Sequence, residues 1–135
     1  MSQIQKNNGA PVWHINGFDF ELDMQDADTL DRYEAAFVKM SENEKKLPKD
    51  GKASDRVRAY CNLFRMLYDD IFGAGSAEKI LGTSNNARVV NEVYEKFLDF
   101  VNSQRSVIAD TQNRLLERFS PNRAQRRAAA AKGKK

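Results

Sequence analysis

The chain has one cysteine, one histidine, one tryptophan and three prolines, and no apolar run long enough to cross a membrane. A single cysteine excludes an intramolecular disulfide. With only one histidine beside it, a structural zinc site is excluded as well, because such sites need several converging nitrogen and sulfur donors. Cys61 lies among Tyr60, Phe64 and Leu67 at helical spacing, the setting of an inert core thiol rather than of a nucleophile. Charge interrupts the apolar clusters every few residues, and Met1 to Asn8 carry neither the apolar stretch nor the small-residue cleavage site of a signal peptide. The expected location is therefore the cytosol of the cell that makes the protein.

Catalytic signatures are missing too. Asp23, Asp26, Asp28 and Asp31 invite comparison with a calcium loop, but the sixth position, which must be glycine, is Asp31 or Asp28 in the two possible frames. Gly73, Gly75 and Gly82 do not fit a dinucleotide fingerprint, whose third glycine would fall on Glu78, and Gly51-Lys52 has Lys46 where a phosphate-binding loop needs glycine. Asp69 and Asp70 are adjacent and diverge by about 100° around a helix, a poor arrangement for shared acid and base work. His14 reads as a hairpin residue. No enzyme activity, metal or cofactor is expected.

Charge is present, and it is unevenly placed. The chain has 22 Lys+Arg against 19 Asp+Glu. Six of the cations, Arg123, Arg126, Arg127, Lys132, Lys134 and Lys135, fall after Pro121 with no acid among them. Residues 1–121 therefore hold 16 cations against 19 acids, and the pI near 9.0 describes a tail. A neutral-to-acidic body with a cationic arm suits a protein that holds a partner better than it suits a nucleic-acid-binding domain. The arm has three readings: a disordered solubilising terminus, a docking element for an acidic protein surface, or an arginine-rich peptide that orders on RNA.

The length suits one domain, and the pattern is mainly α. Asn16-Gly17 stands between two short alternating runs and predicts a β-hairpin over residues 12–24 with a type I′ turn. Phe18, Phe20, Leu22 and Met24 share one face of its second arm, and that face must be covered, because a lone hairpin is marginal in water. Leu30, Tyr33, Phe37 and Met40 predict a helix over 26–47 capped by Asp26 or Asp28. A second helix opens at Ser54-Asp55 and runs to about Phe72, with Val57, Tyr60, Cys61, Phe64, Leu67, Tyr68 and Ile71 as the core stripe and Gly73 as its stop. One short helical turn, capped by Ser76, follows between Gly75 and Gly82. A third long helix begins near Asn86 and buries Val90, Val93, Tyr94, Phe97, Leu98 and Val101. Its stripe lapses over Asn102 to Ser106 and resumes loosely at Ile108, Leu115, Leu116 and Phe119. Unbroken to Phe119 it would reach about 51 Å, so it either bends or leaves the body as an arm. The organisation expected is a flexible N-terminus over 1–11, a single helical domain with its hairpin over 12–119, and a disordered basic tail over 120–135.

Phe18-Asp-Phe-Glu-Leu, the acidic Asp26-Ala-Asp28 before Tyr33-Glu34, Asp70-Ile-Phe-Gly-Ala-Gly running to Lys79-Ile-Leu-Gly82, and Asn122-Arg-Ala-Gln-Arg-Arg127 together resemble the tail assembly chaperones of long-tailed bacteriophages of Gram-positive hosts, across roughly residues 14 to 127. Ala74 and Leu81 depart from that family's pattern, which often has an acid and an aromatic there. The resemblance implies a helical protein of the host cytoplasm, absent from the finished virion, that coats the tape measure protein and helps tail tube protein assemble around it. It also implies a second, longer product made by frameshifting near the end of the short one. On this reading Met40, Met66, Phe97, Phe100, Ile108, Leu115 and Phe119 are the candidate partner-binding residues, with Arg123, Arg126 and Arg127 as the basic tail. Self-association through the hairpin is a further expectation, and neither nucleic acid nor membrane is an expected partner. The alternative is a small regulatory RNA-binding module acting through the arginine-rich tail.

Overall fold

A computed structural model of the chain describes residues 9–119. The expected basic tail, with Arg123, Arg126 and Arg127, lies outside the described residues, as do residues 1–8 and the side chain of Phe119. The fold is mainly helical: an antiparallel hairpin of β1 (Val12–Ile15) and β2 (Phe18–Glu21) precedes α1 (Ala27–Glu44), α2 (Ala53–Phe72), the short α3 (Ser76–Leu81) and α4 (Ala87–Phe119). The chain divides into two compact units, Met1–Val101 and Asn102–Lys135. The division falls where the apolar stripe of α4 lapses.

The hairpin forms as its turn residues dictate. Asn16 and Gly17 both take positive φ, 52° and 79°, which the type I′ turn demands and few other pairs tolerate. The register sets Trp13 opposite Phe20 and His14 opposite Asp19. The inner face carries Trp13, Ile15, Leu22 and Met24, all buried, and helices cover it. Trp13 lies 5.4 Å from Phe97, edge-on, and 6.2 Å from Tyr68 and 6.1 Å from Phe72, while Phe20 lies 5.1 Å from Phe72. Aromatic pairs at such spacings add about 0.5–1.5 kcal/mol each beyond the area they bury.

Polar side chains fix the helix ends. Asp26 caps α1, its carboxylate accepting from the Thr29 amide at 2.9 Å and the Thr29 hydroxyl at 2.8 Å, and these bonds hold its pKa below the usual carboxylate value. α2 starts one residue before the expected Ser54-Asp55, with Lys52 at the cap position and no side-chain bond there. Ser76 does not cap α3. It is the first helical residue, Gly75 at φ 90° takes the cap position, and the orphan amide of Ala77 is satisfied by Asp69 of α2 at 2.9 Å. A carboxylate on the preceding helix thus replaces the expected local cap. Asp70, on the other flank of α2, faces Lys39 of α1 at 3.6 Å.

Carbonyls at helix ends and in the loop after α3 find cationic or amide donors. Arg32 donates to the Ile71 carbonyl at 2.7 Å, Arg65 donates to Gly82 and Ser84 at 2.7 Å each, and Asn16 of the hairpin turn donates to Ile80. These bonds tie the ends of α2 and α3 to α1, α2 and the hairpin, satisfying carbonyls that a helix cannot satisfy itself.

In the first unit the core combines an aromatic cluster with aliphatic side chains. Tyr68, Phe97, Leu67, Ile71, Ile80, Val90, Val101 and Cys61 are fully buried. Burial pushes the Cys61 thiol pKa up, so its reactive thiolate is suppressed. The Tyr68 hydroxyl is buried with no hydrogen-bond partner among the described residues, and desolvation raises its pKa. An unmet buried hydroxyl costs about 1–3 kcal/mol, so Tyr68→Phe is expected to raise stability in urea unfolding by about 1 kcal/mol. A loss of that size instead would mean that the hydroxyl is bonded to a buried water.

Candidate functional site

The antiparallel pair α1 and α2, joined by residues 45–52, is tied at one end by Arg32 to the Ile71 carbonyl, and Lys39, further along α1, lies 3.6 Å from Asp70. Towards the other end it leaves an open groove. The cavity measures about 340 Å³ and is lined by Phe37, Met40, Ser41 and Glu44 of α1, by Leu47, by Tyr60, Leu63 and Phe64 of α2, and by Tyr94 of α4. Phe37, Met40, Leu47, Tyr60 and Tyr94 are each half-buried, so their inner edges pack and their outer edges remain for contact.

Aromatic rings in contact build much of the walls. Phe64 meets Tyr60 edge-on at 5.1 Å and Tyr94 at 4.9 Å, and Phe37 lies 4.9 Å from Tyr33. Met40 is the adaptable element, an unbranched thioether that conforms to varied apolar shapes. The Tyr60 hydroxyl donates to the Asn91 side-chain oxygen. Desolvation, with smaller contributions from Cys61 and Glu44, raises the Tyr60 pKa, and desolvation followed by the charges of Tyr33 and Tyr60 raises that of Tyr94. Both phenols therefore stay neutral and offer hydrogen bonds without charge. Glu44 is the acid of the lining.

Of the sequence-derived partner-binding residues, the structure brings Met40 to this groove. Phe97 is a correction: it is 0% exposed, within 6.5 Å of the rings of Trp13, Tyr33, Tyr68, Phe72 and Tyr94, and it has no surface to offer a partner. Met66 is half-buried on α2 beside Asn62, away from the groove lining. Phe100 is half-buried with its ring 6.4 Å from Trp13. Ile108 and Leu115 belong to the second unit, where Ile108 is half-buried and Leu115 is 40% exposed beside Leu116 at 46%.

In the sequence Phe37, Tyr60, Phe64 and Tyr94 read as members of core stripes and Leu47 as a helix end. A stripe marks the face of a helix that is apolar, not how far the neighbouring helix covers it, so half-buried and buried members look alike. The available signal was apolar Leu47 persisting past Met40 just before the Pro48 break.

No group of three or more His, Cys, Asp or Glu side chains able to hold a metal occurs among the described residues, and no helix among them is long and apolar enough to cross a membrane. His14 contacts the Asp19 carboxylate on the exposed face of the hairpin.

Comparison with known proteins gives a family but not a function. The model of a family described as a "Family of unknown function (DUF6673)" matches residues 16–130, most of the chain, and the chain belongs to that family. No curated protein and no solved structure matches it.

Proposed function

We propose that this family member is a non-catalytic assembly chaperone of bacteriophage tails. It holds apolar faces of tape measure protein helices and so favours assembly of tail tube protein around them. The observation that carries the partner-binding part is the aromatic and Met40-lined groove, of a size that takes one or two large apolar side chains from an amphipathic helix. The identity of the partner rests on the motif resemblance across residues 14 to 127. On this reading the protein works in the host cytoplasm and is absent from the mature virion.

Co-expression with the tape measure protein of the same genome tests the proposal. A soluble complex that survives high salt is expected, because apolar contact is not screened. Absence of a complex, with RNA bound by the full chain and released by salt, would instead favour the RNA-binding module. A chain ending at Pro121 is expected to keep the tape measure protein.

A further inference from the structure

The hairpin offers a second surface, independent of the groove. The Leu22 amide donates to the Pro11 carbonyl at 3.1 Å, which makes Pro11 and Leu22 a hydrogen-bonded pair of the ladder. Hydrogen-bonded and non-hydrogen-bonded pairs alternate in an antiparallel sheet. Trp13 with Phe20 and Ile15 with Phe18 are therefore the other bonded pairs in the register. Asp19 and Glu21 then turn their amides and carbonyls away from β1, and no backbone partner for them occurs among the described residues. Among the described residues the sheet has two strands, and the outer side of β2 is an edge that none of them pairs with.

Its side chains select what pairs there. Asp19 and Glu21 are exposed on the outer face, and Glu21 makes no ion pair among the described residues. Asp19 has the His14 imidazole beside it, which neutralises it only when protonated. On the other face Phe18 is 43% exposed and Phe20 half-buried. A second copy pairing antiparallel through its own β2, centred on Phe20, would set Asp19 against Glu21, a like-charge arrangement that destabilises a ladder. The edge of β1, by contrast, presents Val12 and His14 and carries no fixed charge to select a partner.

We propose that the β2 edge accepts an extended segment of a partner protein with lysine or arginine at alternate positions, opposite Asp19 and Glu21, and apolar residues between them, beside Phe18 and Phe20. Backbone bonds from Asp19 and Glu21 supply the pairing, and the acids read the cations.

The test uses the full chain and a peptide of about eight residues alternating lysine and valine, with a glutamate and valine peptide as its counterpart. Amide hydrogen exchange followed by NMR is the readout. The Asp19 and Glu21 amides are expected to exchange freely in the protein alone and at least about tenfold more slowly with the lysine peptide. Joint replacement Asp19→Lys and Glu21→Lys is expected to leave the melting temperature unchanged and to transfer the slowing to the glutamate peptide. Four results would overturn the proposal: no slowing with either peptide; lysine-peptide binding without slowing; slowing that grows with protein concentration alone; or a charge-swapped protein that still prefers lysine.

Discussion

Replacing Phe97 by alanine is expected to destabilise the protein by about 3–5 kcal/mol and to lower its melting temperature by more than about 10 °C. Phe97 is 0% exposed, and the aromatic rings around it come from β1, α1, α2 and α4. Deleting the ring removes its transfer free energy and leaves a space that four separate elements would have to move to fill. The sole tryptophan reports on the same event, because Trp13 is 5.4 Å from Phe97 and itself buried. Its emission is expected to shift towards that of exposed indole before the helices unfold. A partner-facing Phe97 would behave differently, with a stability change within about 0.5 kcal/mol and a binding defect alone. Urea unfolding separates the two outcomes.

Met40→Glu is expected to weaken binding of the tape measure protein by at least about thirtyfold, roughly 2 kcal/mol, with little change in stability. Met40 is half-buried in the wall of the groove, so a flexible polar chain of similar length can turn its carboxylate to solvent in the free protein. With an apolar side chain seated in the cavity that escape closes, and the carboxylate is desolvated beside Glu44. Two acids on one wall also repel. Calorimetric titration of the partner, with thermal melting as a control, checks both parts. Equal affinity in the variant would place the contact surface elsewhere, and the exposed Leu115 and Leu116 of the second unit would be the next to replace.

Much of the fold was legible because local rules happened to agree with tertiary packing. Asn16-Gly17 specified its turn, Asp26 its cap, and the spacing of Val90, Val93, Phe97 and Val101 the buried face of α4. The failures share a cause. Ser76 looked like a cap because serine often is one, yet it is Asp69, eight residues before Ala77, that binds the Ala77 amide. The clamps from Arg32 and Arg65 join residues 39 and 17–19 positions apart, and no local pattern announces a guanidinium that ends on a backbone carbonyl. The candidate site was less visible than the fold. Phe97 and Met40 both read as apolar stripe members, and only the placement of neighbouring helices separates the one that is sealed from the one that borders an open groove.

Methyl NMR of the full chain labelled at methionine tests the groove most directly, because Met24, Met40 and Met66 sit in three different environments: buried just after β2, in the groove wall, and half-buried on α2 outside the groove lining. On addition of tape measure segments the Met40 methyl signal is expected to shift or broaden while those of Met24 and Met66 hold their positions. A shift of Met66 with Met40 unmoved would contradict the account.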